Sequence, residues 1–294
     1  MIMKSIIKKT IVFFIFSLLL IFIVAGKSEK QQKFYSYSKD NTLRYISPIF
    51  DSIEIVKDIL FAEVINEKKE SEKLCLDIYT PKGDTVEKRP VILWVHGGGF
   101  TEGTKTQGYI KSLAYAFAQR GYVSVSANYR LRQNPKEDMT GTINDAMEDI
   151  MEALDWMREN NELYGINKNC IVIGGGSAGG ILSTNLCYKD ATIASPWDKN
   201  GLIAFVNLWG SPDKLRMDKI IDVNDPPTIF IHGTADSIVP YSNCQWISVV
   251  LDSVGVKNKV YAIEGAGHTP TENIEEIVEN IAAFLYLRIK EIKD

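Results

Sequence analysis

A chain of 294 residues, 45% of them hydrophobic, is long enough for one large domain with a well-buried core, and it carries no period that would mark a repeat protein. A formal net charge of −4 with no basic stripe gives no footprint for nucleic acid, which is excluded as a partner. The four cysteines do not look like a disulfide framework. Cys170 begins an expected strand and Cys187 ends the helix after it, at different levels, and Cys75 lies in a strand-like run and Cys244 in an expected helix, so all four are read as small buried hydrophobes.

Lys4, Lys8 and Lys9 precede the apolar run Ile11–Val24, and Ala25, Gly26 and Lys27 open a polar stretch after it. A basic start, an apolar segment and small residues at its end describe a secretory signal peptide. The run is well short of the roughly 20 apolar residues that a spanning helix needs. Residues 1–26 are therefore assigned to a signal peptide and 27–294 to a single folded domain of an exported protein, periplasmic or extracellular. An uncleaved anchor at residues 11–24 is the alternative, and is the only route to a membrane that the sequence offers. No cysteine follows the run, which argues against a lipid attached at its end.

After a polar lead, Ser28–Asn41, strand-like runs at Ile59–Val64 and Leu74–Tyr79 flank the charged segment Asn66–Lys73, which suits a hairpin. From Pro90 the pattern changes to strands alternating with helices. Expected strands are Val91–Val95, Tyr122–Ala127, Cys170–Ile173, Leu202–Leu208, Thr228–Ile231 and Lys259–Ile263. Expected helices are Thr104–Gln119, Ile143–Glu159, Ala178–Cys187, Tyr241–Val254 and Asn273–Ile289. Continuous apolar strands alternating with helices imply a mostly parallel sheet covered on both faces.

The most informative stretch is Ile171-Val-Ile-Gly-Gly-Gly-Ser177-Ala-Gly-Gly180. It holds the pattern G-x-S-x-G, in which a strand turns so sharply into a helix that the serine is strained and its hydroxyl is lifted clear of the sheet. Sites in open α/β sheets gather beyond the carboxyl ends of the strands. All three histidines of the chain fall at such ends: His96 in His96-Gly-Gly-Gly-Phe100, His232 in His232-Gly-Thr-Ala-Asp236, and His268 in Glu264-Gly-Ala-Gly-His268. His268, in a glycine-rich loop after the last strand, is the expected general base, because neutral imidazole accepts a serine proton near pH 7. Asp236 is the expected orienting acid, with Asp213 as a competing carboxylate. The glycines after His96 let backbone amides approach a bound oxygen and, with the Ala178 amide, stabilise an oxyanion. His96 itself is read as an anchor for that loop and His232 as a packing residue.

Together Trp94-Val-His-Gly-Gly-Gly-Phe100, Asn128-Tyr-Arg-Leu131, Gly175-Gly-Ser-Ala-Gly-Gly180, Asp236 and His268 resemble an α/β-hydrolase-fold carboxylesterase of the HGGG type, related to hormone-sensitive lipase. The resemblance runs from about Leu74 to the C-terminus. It implies that 27–294 is an α/β-hydrolase catalytic domain, with Ser177 as nucleophile, Asp236 as acid, His268 as base, and Gly98, Gly99 and Ala178 as oxyanion donors. Such a mechanism uses neither a metal nor an organic cofactor. Two departures stand out: Gly176 occupies the place of an aspartate usual in that group, and Arg132 and Gln133 follow Tyr-Arg-Leu where a proline is usual. The pattern is closer to secreted acetyl xylan and feruloyl esterases.

The intervals Ala191–Gly201 and Gly210–Pro227 are short, so a large lid is not expected and a fairly open site suits short acyl groups on small-molecule or polysaccharide-linked alcohols. Phe100, Tyr129 and Trp209, at strand ends, are candidates to line it or ordinary core aromatics. Two other readings are a serine peptidase of the prolyl-oligopeptidase type and a non-catalytic hydrolase fold used for binding. The missing second domain weighs against the first, and the intact Ser177, Asp236 and His268 against the second.

Overall fold

The computed structural model describes residues 44–188, 198–211 and 221–293. Residues 1–26, the segment 11–24 and the competing Asp213 lie outside them, as does most of the two intervals expected to lack a lid. Arg44–Asp294 forms one compact unit. Among the described residues no helix is long and apolar enough to cross a membrane.

Eight strands make one sheet: β1 (Ile53–Ile65), β2 (Ser71–Pro81), β3 (Arg89–Val95), β4 (Val123–Ala127), β5 (Ile166–Gly176), β6 (Leu202–Leu208), β7 (Thr228–Gly233) and β8 (Asn258–Ile263), in the order β1-β2-β4-β3-β5-β6-β7-β8. β1, β2 and β4 pair antiparallel, and every other neighbour is parallel. The helices are α1 (Gly108–Ala118), α2 (Met139–Glu159), the single turn α3 (Asn161–Tyr164), α4 (Ala178–Tyr188), α5 (Ser242–Val254) and α6 (Ile274–Lys293). This is the expected mostly parallel sheet led by an antiparallel hairpin.

Alternate residues of the central strands feed two cores. Leu93, Val125 and Ile173 face α2, α4 and α5, whereas Ile92, Trp94 and Val172 face α1 and α6. Each residue of β4, Val-Ser-Val-Ser-Ala, is buried, as expected of a strand covered on both faces. In α2 the buried residues Ala146, Ile150, Ala153, Leu154 and Met157 recur every three or four positions and form one apolar stripe.

Three boundaries differ from the sequence reading for local reasons. α1 begins at Gly108 and not at Thr104, because Asn128 Oδ1 takes the Lys105 N–H at 2.7 Å and holds the preceding residues in a turn. α2 begins at Met139, four residues before Ile143, because the Asp138 carboxylate caps the Gly141 N–H at 2.9 Å. β5 extends to Gly176, which brings its last glycine into register with Leu208 of β6 directly before the serine. None of the four cysteines is in a disulfide with another, and three of the four are buried.

Candidate active site

β5, β7 and β8 are parallel, so their carboxyl ends lie along one edge of the sheet, and the loops that follow converge there. Ser177 stands between β5 and α4 with φ 53°, the left-handed conformation required by the sharp turn. Its N–H donates to the Leu208 carbonyl at 3.0 Å and its carbonyl accepts the Ile181 N–H at 2.9 Å, so the turn is held from both sides. A Cβ at Gly179 would lie 2.2 Å from the Val95 carbonyl oxygen, which is why the helix can start so close to β3 only with glycine there.

Ser177 Oγ is 3.0 Å from His268 Nε2, and His268 Nδ1 is 2.7 Å from Asp236 Oδ2. The other Asp236 oxygen accepts the Ile238 and Val239 N–H groups, each at 2.9 Å. The Asp236 side chain is fully covered and that of His268 is 13% exposed. Burial raises the Asp236 carboxyl pKa, but the hydrogen bonds from His268, Val239 and Ile238 outweigh it and hold the group below the usual carboxylate range. An ionised Asp236 fixes the proton of neutral His268 on Nδ1 and leaves Nε2 to accept from the serine. The loop carrying His268 is tied to the one carrying Asp236: Ala235 N–H donates to Ala266 O at 2.9 Å and Gly265 N–H to Thr234 Oγ1 at 2.8 Å.

Opposite the histidine lies the glycine loop after β3. Gly97 N–H donates to Tyr109 Oη at 2.9 Å and to Gln107 Oε1 at 3.2 Å. With Gly97 and Ser177 N–H groups thus committed, the Gly98, Gly99 and Ala178 N–H groups have no acceptor among the described residues. Gly98 has φ 116°, and a Cβ there would lie 1.9 Å from the Glu102 carbonyl oxygen, so the loop path depends on glycine. His96 does anchor this loop. Its Nδ1 donates to the Gly97 carbonyl at 2.8 Å and its ring stacks on Tyr129 at 4.3 Å. Burial pushes its pKa down to about 4, so it is neutral at physiological pH.

Phe100, Tyr129 and Trp209 are 3%, 2% and 1% exposed, which fits the second of the two alternatives the sequence left open, ordinary core aromatics, and not the lining of an open site. Tyr129 donates to the His96 carbonyl at 3.0 Å, Phe100 packs edge-on against Tyr129, and Trp209 packs edge-on against Tyr109. These rings support the loops from beneath. Two residues outside the expected triad and oxyanion donors touch the site. Tyr109 bridges the glycine loop and the serine turn, since a Cβ at Gly176 would lie 2.6 Å from its hydroxyl oxygen. That contact gives a physical reason for glycine at 176, because an aspartate there would collide with Tyr109. His232, read as packing, has Nε2 only 3.2 Å from Asp236 Oδ2. No spacing in the sequence signals Tyr109, whereas the placement of His232 four residues before Asp236 was visible.

The BD-FAE family model matches residues 76–200. Carboxylesterase 3B of Mus musculus is 35% identical over 119 residues, covering 38% of this chain and 20% of that protein. A probable isoprenylcysteine alpha-carbonyl methylesterase of Oryza sativa subsp. japonica is 24% identical over 263 residues, covering 75% of this chain and 59% of its own length. The chain thus spans only a fifth to three fifths of these relatives. Among solved structures, an esterase from Thermogutta terrifontis superposes with a TM-score of 0.65 at 23% identity, covering 84% of this chain and 96% of that one. The same esterase is also known with propionate and with butyrate bound. The likeness establishes the fold: this chain is an α/β-hydrolase-fold protein.

Proposed function

We propose that this α/β-hydrolase-fold protein is a carboxylic ester hydrolase that works through an acyl-enzyme on Ser177. The observation that carries the reading is the continuous hydrogen-bonded line Ser177 Oγ, His268 Nε2, His268 Nδ1, Asp236 Oδ2, with separations of 3.0 and 2.7 Å. In this reading Ser177 Oγ attacks the ester carbonyl while His268 Nε2 takes its proton. The resulting oxyanion is stabilised by the Gly98, Gly99 and Ala178 amides, and the imidazolium by Asp236. Collapse of the tetrahedral intermediate breaks the bond to the alcohol oxygen, which leaves with the proton from His268. Water then gives up a proton to His268 and attacks the acyl carbonyl; the bond from the acyl carbon to Ser177 Oγ breaks, the acid leaves, and His268 returns the proton to Oγ.

Short acyl groups on soluble or polysaccharide-linked alcohols are the proposed substrates. The resemblance to secreted acetyl xylan and feruloyl esterases supports this, as do the propionate and butyrate found in the Thermogutta esterase. Export through residues 1–26 is part of the same proposal, since esterified polysaccharide lies outside the cell.

The test is hydrolysis of p-nitrophenyl acetate, butyrate and octanoate by the wild-type protein and by its Ser177→Ala variant. Rates should fall with acyl length, and the variant should lose several orders of magnitude, near the roughly 10⁶ that follows disruption of a serine triad. Activity that survives in Ser177→Ala refutes the acyl-enzyme, and cleavage of proline-containing peptides in preference to all three esters refutes the esterase.

A further inference from the structure

Asp236 accepts three hydrogen bonds, and a histidine outside the Ser177–His268–Asp236 line stands against the same carboxylate. Oδ1 accepts Ile238 and Val239 N–H, and Oδ2 accepts His268 Nδ1–H. His232 Nε2 approaches the same Oδ2 at 3.2 Å and the Val239 carbonyl oxygen at 2.8 Å. Both neighbours are acceptors, so Nε2 must carry the proton and share it between them. The opposite nitrogen, Nδ1, is buried with no hydrogen-bond partner among the described residues. A second proton there would make a buried N–H with nothing to receive it, at a side chain that is 0% exposed.

We propose that His232 is a positioning residue for the acid, a permanently neutral imidazole whose Nε2–H shares the Asp236 carboxylate with His268 and so sets the basicity of the histidine beside Ser177. The inference rests on the assignment of Asp236, His268 and Ser177 to the proposed hydrolysis. Neutrality is essential to it, because a charged His232 would compete with imidazolium His268 for one carboxylate oxygen. Burial lowers the His232 pKa, which acts in the same direction. His232 also closes the 236–239 turn from its second side: Val239 N–H goes to Asp236 Oδ1 and Val239 O receives His232. The titratable groups facing the cluster are Asp236, His268 and Tyr241, whose ring meets His232 edge-on at 5.9 Å, with Glu264 acting on Tyr241. None of them accepts from Nδ1.

Removing Nε2–H concentrates the carboxylate charge on His268 Nδ1–H, which favours the imidazolium and raises the pH at which His268 loses its proton. Nitrogen-15 NMR of the histidine-labelled full chain reads this directly and needs no turnover. In the wild type, His232 should show a protonated Nε2 and a bare Nδ1, and should not titrate between pH 5 and 8. In His232→Leu the His268 midpoint should rise by about half a pH unit or more, and in His232→Gln, whose amide nitrogen stands near the place of Nε2, it should return toward the wild-type value. An unchanged midpoint in folded His232→Leu overturns the proposal. So does a wild-type His232 protonated at Nδ1 or titrating within that window, which decides the matter even if the leucine variant does not fold. Failure of the esterase reading shows separately, as ester hydrolysis unaffected by Ser177→Ala.

Discussion

Tyr109→Phe removes one oxygen at the place where the glycine loop meets the serine turn. Gly97 N–H has two acceptors, Tyr109 Oη at 2.9 Å and Gln107 Oε1 at 3.2 Å, so the single variant leaves this buried donor with a partner. The loss is then that of one neutral hydrogen bond, about 1 kcal/mol of stability. Gln107→Leu removes the longer bond and should lose no more than that. The double variant strands the Gly97 N–H, which adds a desolvation penalty of about 1–3 kcal/mol, so the two substitutions should be more than additive by at least about 1 kcal/mol. Activity should follow, because Gly98 and Gly99 are the next residues of the same loop. A well-placed oxyanion donor contributes about 2.7–4 kcal/mol. Losing some 1 kcal/mol of it through a loosened loop corresponds to about a fivefold fall in kcat for Tyr109→Phe, with KM little changed. The double variant should fall by more than the product of the two single effects. Urea denaturation and p-nitrophenyl acetate hydrolysis across the four proteins of the cycle measure both quantities. Additive stabilities together with an unchanged kcat in the double variant would show that Gly97 N–H does not hold the loop.

Two further predictions concern buried charge. His96 has its pKa pushed by burial to about 4, against roughly 6.5 in an unfolded chain. The unfolded chain therefore binds the extra proton over this window. Stability should fall as pH drops from about 6.5 to about 4, by an amount on the order of 3 kcal/mol from this residue, and the slope of Tm against pH should shrink in His96→Asn. Lys105 Nζ lies 2.6 Å from Asp77 Oδ1 and 2.7 Å from Asp58 Oδ1, and the Asp77 side chain is only 1% exposed whereas that of Asp58 is 76% exposed. Lys105→Met should destabilise by about 3–5 kcal/mol, because it leaves a buried carboxylate unpaired. Lys105→Met combined with Asp77→Leu should recover much of the loss in urea denaturation, and no recovery would place the cost elsewhere.

Much of this protein was legible as local pattern. Continuous apolar strands between amphipathic helices determine a parallel sheet, since a strand buried on both faces and a helix buried on one have different periods. Gly175, Gly176, Ser177, Ala178 and Gly179 specify a strand–turn–helix because only that turn needs glycines around a strained serine. The positions of His96, His232 and His268 along the chain follow from the strands before them. Tertiary structure decided what depends on distance between loops far apart in sequence. Which carboxylate meets His268 is settled by the loop after β7, whose Asp236 lies 2.7 Å from the imidazole 32 positions further on. The burial of Phe100, Tyr129 and Trp209 was equally undecidable from position, because an aromatic ring at a strand end packs down or faces out according to what the neighbouring loops leave open. Tyr109 falls inside the helix expected over Thr104–Gln119 as one more apolar residue, and only the approach of β5 to β3 brings its hydroxyl to Gly97 and Gly176. The same holds for His232, which the sequence reads as a packing residue at the end of a strand. What makes it more than packing is the return of the 236–239 turn over the end of β7, which brings a carboxylate and a carbonyl to one ring nitrogen.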